Sequence, residues 1–345
     1  MTARFATQLE IDQWDDYIIA NPDGGNIFQT KEFGSIKSTN NWKTIYVVID
    51  EIYILILERK IPILGNFWYT PKGPGITSTE NLKKIIPELR DFAQKNNVYA
   101  IKFEPELLET EINTKNLKKL KLKKSKNAQA ANTVIVDISR PIDEIMASFS
   151  SKVRGNIRAA QKSNVTTEIV PISDKNCAIF YEMMKQTING RSHVRKPEYY
   201  YNYWQTHYQS GAGLFMFAKV GSDILAMDFI TIIGAKAARK DAASTRDHSI
   251  RGASSLLELA AIEYLKTIDI QQYDLYGAPP SSQIKNQNHP FYGFGTFKVG
   301  FNPQITDYVG CYDLIVKPSA YKIWYKFGEK LTRRIYYILH HDLYY

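Results

Sequence analysis

Short runs rich in β-formers alternate with runs of helical periodicity along this chain, and the alternation occurs twice. That order admits an α/β or α+β architecture of mixed sheets flanked by helices. Asp12 to Ala20 reads as a short helix, closed by the turn residues Asn21-Pro22-Asp23-Gly24-Gly25. Thr30 stands where it would cap a second helix over Lys31 to Lys37. Thr44–Ile49 and Ile52–Leu57 read as strands joined at Asp50-Glu51. Phe67 to Thr70 begins another strand, which Pro71-Lys72-Gly73-Pro74-Gly75 stops. Leu82, Ile85, Ile86, Leu89 and Phe92 mark one face of a helix over Glu80 to Lys95, and Val98 to Phe103 is the next strand. Thr133–Ile138 is a further strand, and Pro141 opens a helix to Phe149.

The second half resumes the pattern. Helices are expected over Ala178–Thr187, Pro197–Gln209 and Ala253–Thr267, with strands over Gly213–Val220, Ile224–Ile233 and Gln272–Leu275. Two similar halves suggest a duplicated domain, divided as residues 1–140 and 141–345, although no residue-level repeat is visible. Tyr321 to Tyr345 reads as a helix of mixed basic and aromatic residues, which either packs on the body or lies on a membrane surface.

At 345 residues the chain suits two domains with a core that needs no staples. Its most apolar stretch, Ile45 to Leu64, is broken by Asp50, Glu51, Glu58, Arg59 and Lys60, so no spanning helix is expected. The N-terminal segment is acidic and lacks the apolar core of a signal peptide. Cys177 and Cys311 are too far apart for a metal motif or a disulfide framework, which favours a reducing, cytoplasmic setting. The net charge of +9 favours anionic partners. Residues 151–200 alone hold nine basic and four acidic side chains, so the charge is expected to gather in the second domain.

No G-x-S-x-G elbow, H-E-x-x-H pair, EF-hand or Walker A pattern occurs, so a site without metal or cofactor is expected. His248 to Ser255 precedes a helix, as a phosphate cradle would, but lacks the full glycine-rich pattern for acyl-CoA. Lys152, Arg154, Arg158 and Lys162 lie on one amphipathic helix, either a solvated face or a contact for an RNA backbone. The lysine-rich segment Lys115 to Lys126 leaves the same two readings open. Lys298 sits among the rings and glycines of Phe291 to Phe301. It either snorkels beside the rings or holds a charge in a sheltered cleft, where it would stabilise an oxyanion.

Several segments together resemble the FemABX peptidyltransferases, which build the peptide cross-bridge of bacterial peptidoglycan. They are Asn26-Ile27-Phe28-Gln29-Thr30 with Lys37; Tyr69-Thr70-Pro71-Lys72-Gly73-Pro74-Gly75; and the Lys152–Lys162 helix followed by Asn164-Val165. The later ones are Arg195-Lys196-Pro197-Glu198-Tyr199-Tyr200, Tyr273-Asp274-Leu275-Tyr276-Gly277, Phe297-Lys298-Val299-Gly300-Phe301 and Tyr308-Val309-Gly310. Each is weak alone, but their order spans nearly the whole chain.

The resemblance implies tandem GNAT-like domains without the coiled-coil arm that some members carry. It implies transfer of an aminoacyl group from aminoacyl-tRNA to the stem-peptide amine of UDP-MurNAc-pentapeptide or lipid II. By the same resemblance Lys37 and Arg195 hold the precursor diphosphate, with Tyr199 and Tyr69 beside it. Lys298 and Phe297 stand at the transfer centre, and Glu104 is either a general base or a structural carboxylate. Lys152, Arg154, Arg158 and Lys162 would face the tRNA. A cytoplasmic monomer with peripheral membrane contact is the expected setting. Ala237 to Ser244 is more basic than the aromatic-rich strand expected there, and Pro279 to His289 is long and polar. Two other classes stay open: an acyl-CoA N-acyltransferase, and a non-catalytic RNA- or envelope-binding protein.

Overall fold

The computed structural model describes residues 2–188, 194–245 and 249–345. In chain order its principal elements begin with β1 (Ala3–Phe5), α1 (Lys31–Ser38), β2 (Lys43–Ile49), β3 (Ile52–Ile61), β4 (Gly65–Thr70), α2 (Thr79–Lys95), β5 (Val98–Phe103) and β6 (Lys123–Lys124). They continue with β7 (Ile135–Asp137), α3 (Ile142–Ser148), α4 (Ser151–Lys162), β8 (Thr166–Val170), α5 (Asp174–Ile188), α6 (Pro197–Gln209), β9 (Gly213–Val220), β10 (Asp223–Ile233) and β11 (Lys236–Ser244). The last are α7 (Ala253–Thr267), β12 (Gln272–Asp274), α8 (Tyr292–Lys298), β13 (Tyr312–Ile315), α9 (Pro318–Ile323) and α10 (Glu329–His340). Two compact units result: Met1–Ala131 with Asp307–Tyr345, and Asn132–Thr306.

The first unit is a seven-stranded sheet in the order β1-β2-β3-β4-β5-β13-β6. Its neighbours are antiparallel except β4 and β5, which are parallel and joined by the crossover helix α2. The cap read from the sequence at Thr30 is present, and Ser78 supplies a second. Thr30 Oγ1 accepts from Phe33 N at 3.2 Å, and Ser78 Oγ accepts from Asn81 N at 3.2 Å, so each helix start has a satisfied donor. Leu82, Ile85, Ile86 and Leu89 on α2 bury against Trp68, Val98, Ile101 and Phe103. Asp50 turns the β2–β3 hairpin in the left-handed region, at φ 59°.

The second unit is a six-stranded sheet in the order β7-β12-β11-β10-β9-β8. It is antiparallel except for β11 and β12, which are parallel and joined through α7. Both units therefore share one plan: four antiparallel strands, a helical crossover to a parallel fifth, and an antiparallel sixth beyond it. The duplication expected from the element order is seen in this topology. Among the described residues the longest helix is the 17-residue α2, and no coiled-coil arm is present.

The expected division at residue 140 needs correction. The sixth strand of the first unit, β13, comes from the C-terminal end of the chain, with Leu314 opposite Ile101 and fully buried. Residues 307–345 therefore belong to the first unit and not the second. The charge moves with them. The first unit holds 25 basic and 20 acidic residues, the second 19 and 15, so the net charges are +5 and +4. The expected concentration in the second domain is lost. Tyr321 to Tyr345 is also not one helix: α9, a π-helical turn at Trp324–Gly328 and α10 form the rod, and His341 ends it at φ 51°.

Candidate active site

Lys298 is the last residue of α8, a short helix that the glycine-rich sequence around it did not announce. Its neighbours Gly293 and Gly295 lower helix propensity. Gly295 has a packing reason, since a Cβ there would meet Pro279 Cδ at 2.4 Å. The side chain is buried, and its Nζ donates to the carbonyls of Tyr276 at 2.5 Å and Gly277 at 2.7 Å. Tyr276 and Gly277 both lie in the left-handed region, at φ 50° and 83°, just after β12. Burial, with the nearby Arg239 guanidinium adding to it, lowers the amine from 10.5 to about 7. Lys102, the fully buried lysine of the first unit, contrasts with it. Lys102 Nζ lies 3.1 Å from Asp313 and donates to Ser125 at 2.8 Å, and Asp313 also accepts from Tyr321, so that charge is neutralised in place.

Lys298 and Phe297 line one cavity of about 280 Å³ with Arg239, Ser244, Ser254 and Phe294. Arg239 lies 5.4 Å from the Phe297 ring and is held by Asp228 at 2.7 Å and Glu258 at 2.5 Å. Tyr273 donates to Glu258 at 2.9 Å. The strand register explains this meeting. Phe229 is opposite Asp241 but Ile230 is opposite Arg239, so Lys240 is a bulge. The bulge sends Arg239 to the face of Asp228 and Ile230, against α7 with its Glu258. Asp241 turns to the other face and accepts from Trp204 at 2.9 Å. Burial raises both carboxyls, Glu258 to about 8, while Arg239 opposes the rise. This cluster was not among the expected site residues. Its signal was two carboxylates inside apolar runs, Asp228 in LAMDFITII and Glu258 in LLELAAI, whereas Arg239 stands in the charged run Arg239-Lys240-Asp241.

Within the same unit, the expected ligand residues lie close to this centre in a chain of contacts. The Arg195 guanidinium lies 4.4 Å from the Tyr199 ring, and Tyr199 stacks on Tyr203 at 6.2 Å. Lys240 lies 5.4 Å from the Tyr203 ring and 5.0 Å from that of Tyr276, whose carbonyl accepts from Lys298. Lys37, in the first unit, is buried in the last turn of α1 with its Nζ 5.4 Å from the Phe33 ring. Two other resemblance motifs meet in that unit. Gln29 donates to Pro71 O at 2.7 Å and accepts from Leu55 N at 2.9 Å, so its amide clamps the Tyr69–Gly75 loop.

Glu104 and Tyr69 find different employment. Tyr69 is buried and donates to Glu104 Oε2 at 2.6 Å. The other Glu104 oxygen accepts from Ala128 N, Gln129 N and Cys311 Sγ at 3.2, 2.7 and 3.2 Å. A buried carboxylate with four donors serves as a structural hub, which favours the structural reading of Glu104. On α4, Arg154 is also drawn inward, where it donates to the carbonyls of Ala147 and Phe149 at the end of α3. Lys152, Arg158 and Lys162 stay exposed. His248 lies outside the described residues. Gly252, the N-cap of α7, has φ 91°, and a Cβ would stand 2.0 Å from Asn156 O on α4. Its glycine is needed for helix packing.

The FemAB family profile matches residues 9–138, 116–229 and 242–327. The chain belongs to the FemAB family. A curated relative, the lipid II:glycine glycyltransferase of Staphylococcus aureus (strain MRSA252), is 25% identical over 224 residues, which is 59% of this chain and 52% of the relative. The chain thus spans about half the length of that relative. A crystal structure of FemX superposes with a TM-score of 0.79 at 16% identity, covering 94% of this chain and 99% of FemX. The L-PGS of Bacillus licheniformis superposes at 0.56 and 13% identity, covering 94% and 96%. These likenesses show the fold, which is that of FemX.

Proposed function

We propose that this FemAB-family chain is an aminoacyltransferase of peptidoglycan cross-bridge synthesis. It moves an aminoacyl group from aminoacyl-tRNA to the stem-peptide amine of UDP-MurNAc-pentapeptide or lipid II. The observation that carries the reading is Lys298: a buried amine, titrating near neutrality, anchored by two carbonyls at the wall of a cavity. Family membership and the named glycyltransferase relative support the substrate class.

The reaction is aminolysis of an ester. The acceptor nitrogen attacks the ester carbon, the carbonyl oxygen takes up negative charge, and the ribose oxygen leaves with a proton. Two of the three substituent positions on Lys298 Nζ are used by Tyr276 and Gly277, which fixes the third. As an ammonium it donates there to the oxyanion and then to the departing ribose oxygen. As a neutral amine it accepts the proton that the attacking nitrogen sheds. An amine of ordinary pKa gives up its proton reluctantly at neutral pH, whereas one near 7 exchanges at little cost. Positioning and charge stabilisation supply the rest. Arg239, held by Asp228 and Glu258, supports the ring of Phe297 beneath the reacting groups.

Arg195 with Tyr199 holds the precursor diphosphate. Lys152, Arg158 and Lys162 meet the tRNA backbone. The enzyme works as a monomer on the cytoplasmic side of the membrane. No helix among the described residues is long and apolar enough to cross a membrane. The test is incubation with mixed charged tRNAs and UDP-MurNAc-pentapeptide, read by the mass shift of the precursor. One added amino-acid residue is expected, with turnover lost in Lys298→Met while precursor affinity is kept. Acetyl-CoA turnover without tRNA, or no shift at all, would overturn the proposal.

A further inference from the structure

The C-terminal rod of the first unit is amphipathic the wrong way round. Its inner side is fixed: Tyr321 donates to Asp313, and buried Trp324 lies 5.2 Å from Phe67 and 5.7 Å from Tyr99. The Arg59 guanidinium lies 4.4 Å from Tyr336. The outer side carries Ile323, Phe327, Leu331, Ile335 and Leu339 at four-residue spacing, with Ile338 beside them. Their exposures are 54, 70, 57, 47, 69 and 58%. No residue of α10 is buried. A surface helix of a globular protein turns such a stripe to the core, and a contiguous exposed one marks an interaction surface.

The charges beside the stripe choose the partner. Lys322, Lys326, Lys330 and Arg334 flank it, while the one acid on the rod, Glu329, accepts from Tyr345 and Arg333 lies 5.5 Å from that same buried ring. A second copy of this chain would bring like charges together in a two-fold pairing. An anionic lipid surface instead offers phosphates to the cations and an acyl boundary to the aliphatic side chains.

We infer that this rod lies flat on an anionic phospholipid surface. Phe327, Leu331, Ile335 and Leu339 enter the acyl boundary, and Lys326, Lys330 and Arg334 rest among the phosphates. The inference deepens the proposed function, in which it gives the membrane contact an address, and it is tested apart from transfer.

The experiment is co-sedimentation of the full chain with vesicles of phosphatidylcholine, alone and mixed with phosphatidylglycerol. Binding to the mixed vesicles is expected, weakened at least about tenfold on phosphatidylcholine alone or in high salt. The triple variant Leu331→Glu, Ile335→Glu, Leu339→Glu should stay in the supernatant. Its melting temperature and its transfer to soluble UDP-MurNAc-pentapeptide should be unchanged. Replacing Lys326, Lys330 and Arg334 by Gln should remove the preference for the anionic lipid. The inference falls if the unaltered chain binds neither vesicle, or if the triple variant binds as well as it does. It also falls if light scattering finds a dimer that the triple variant dissolves and no lipid binding. Vesicle binding by a chain that transfers no amino acid would sustain it while removing the proposed function.

Discussion

Replacing Lys298 by Met keeps an unbranched side chain of similar length and removes the charge. The native amine is lowered from 10.5 to about 7, so holding it protonated in the fold costs about 5 kcal/mol relative to the unfolded chain. The variant escapes that cost but leaves the carbonyls of Tyr276 and Gly277 without their donor, at about 1–3 kcal/mol each. The two effects nearly cancel, so at or below neutral pH the variant should be about as stable as the native chain. The pH dependence separates them. Between pH 7 and 10.5 the unfolded lysine holds a proton that the folded one has lost. Native stability should therefore rise by about 1.4 kcal/mol per pH unit in that window, and the variant should lack the rise. Glu258 acts the other way. Its folded value of about 8 lies above 4.5, so stability falls as pH rises to about 8 and no further. Urea unfolding from about pH 8 to about pH 10 isolates the lysine, with an expected relative native gain of about 2–3 kcal/mol. Parallel curves for the two proteins would refute the buried-amine argument, whatever the variant does to turnover.

Arg239→Leu leaves Asp228 and Glu258 buried without their cation and should cost about 3–5 kcal/mol by urea unfolding; an unchanged midpoint would mean the carboxyls are neutral without it. Glu104→Gln sets an amide NH2 donor against groups that themselves donate and should cost about 1–3 kcal/mol, with the transfer rate per folded molecule preserved. A lost rate at full stability would restore Glu104 as a base. Gly252→Ala forces a side chain into a left-handed turn against Asn156 and should lower stability by more than about 1–2 kcal/mol, read as a fall in melting temperature. Arg158→Gln should reduce the salt slope of tRNA binding by about one, whereas Arg154→Gln should act on stability, because its guanidinium already serves the end of α3.

Elements with their own local signals were legible in the sequence. The spans Pro197–Gln209 and Ala253–Thr267 match the expected limits, and α2 and β5 follow from periodicity and length. Elements defined by distant partners were not. Four-residue β13 has too little pattern to announce that it pairs with β5 across more than 200 residues of chain. The strand β11 hid behind its charges because a bulge at Lys240 breaks the alternation that would have given it away. The motif singled out Lys298 and Phe297, which the structure sets in the wall of one cavity, but it did not reveal that Tyr69 spends its hydroxyl on Glu104. Carboxylates in apolar runs were the unused clue to Asp228 and Glu258.

The insertion of β13 between β5 and β6 also sets an order of events during synthesis. Every strand of the six-stranded sheet has been made once residue 274 is added, whereas the seven-stranded sheet still waits for residues 312–315. The usual sequence, in which the N-terminal domain matures first, is therefore reversed. Until the last tenth of the chain leaves the ribosome, β5 presents an open edge of apolar backbone. The nascent protein is most exposed to mispairing in the half that was translated first.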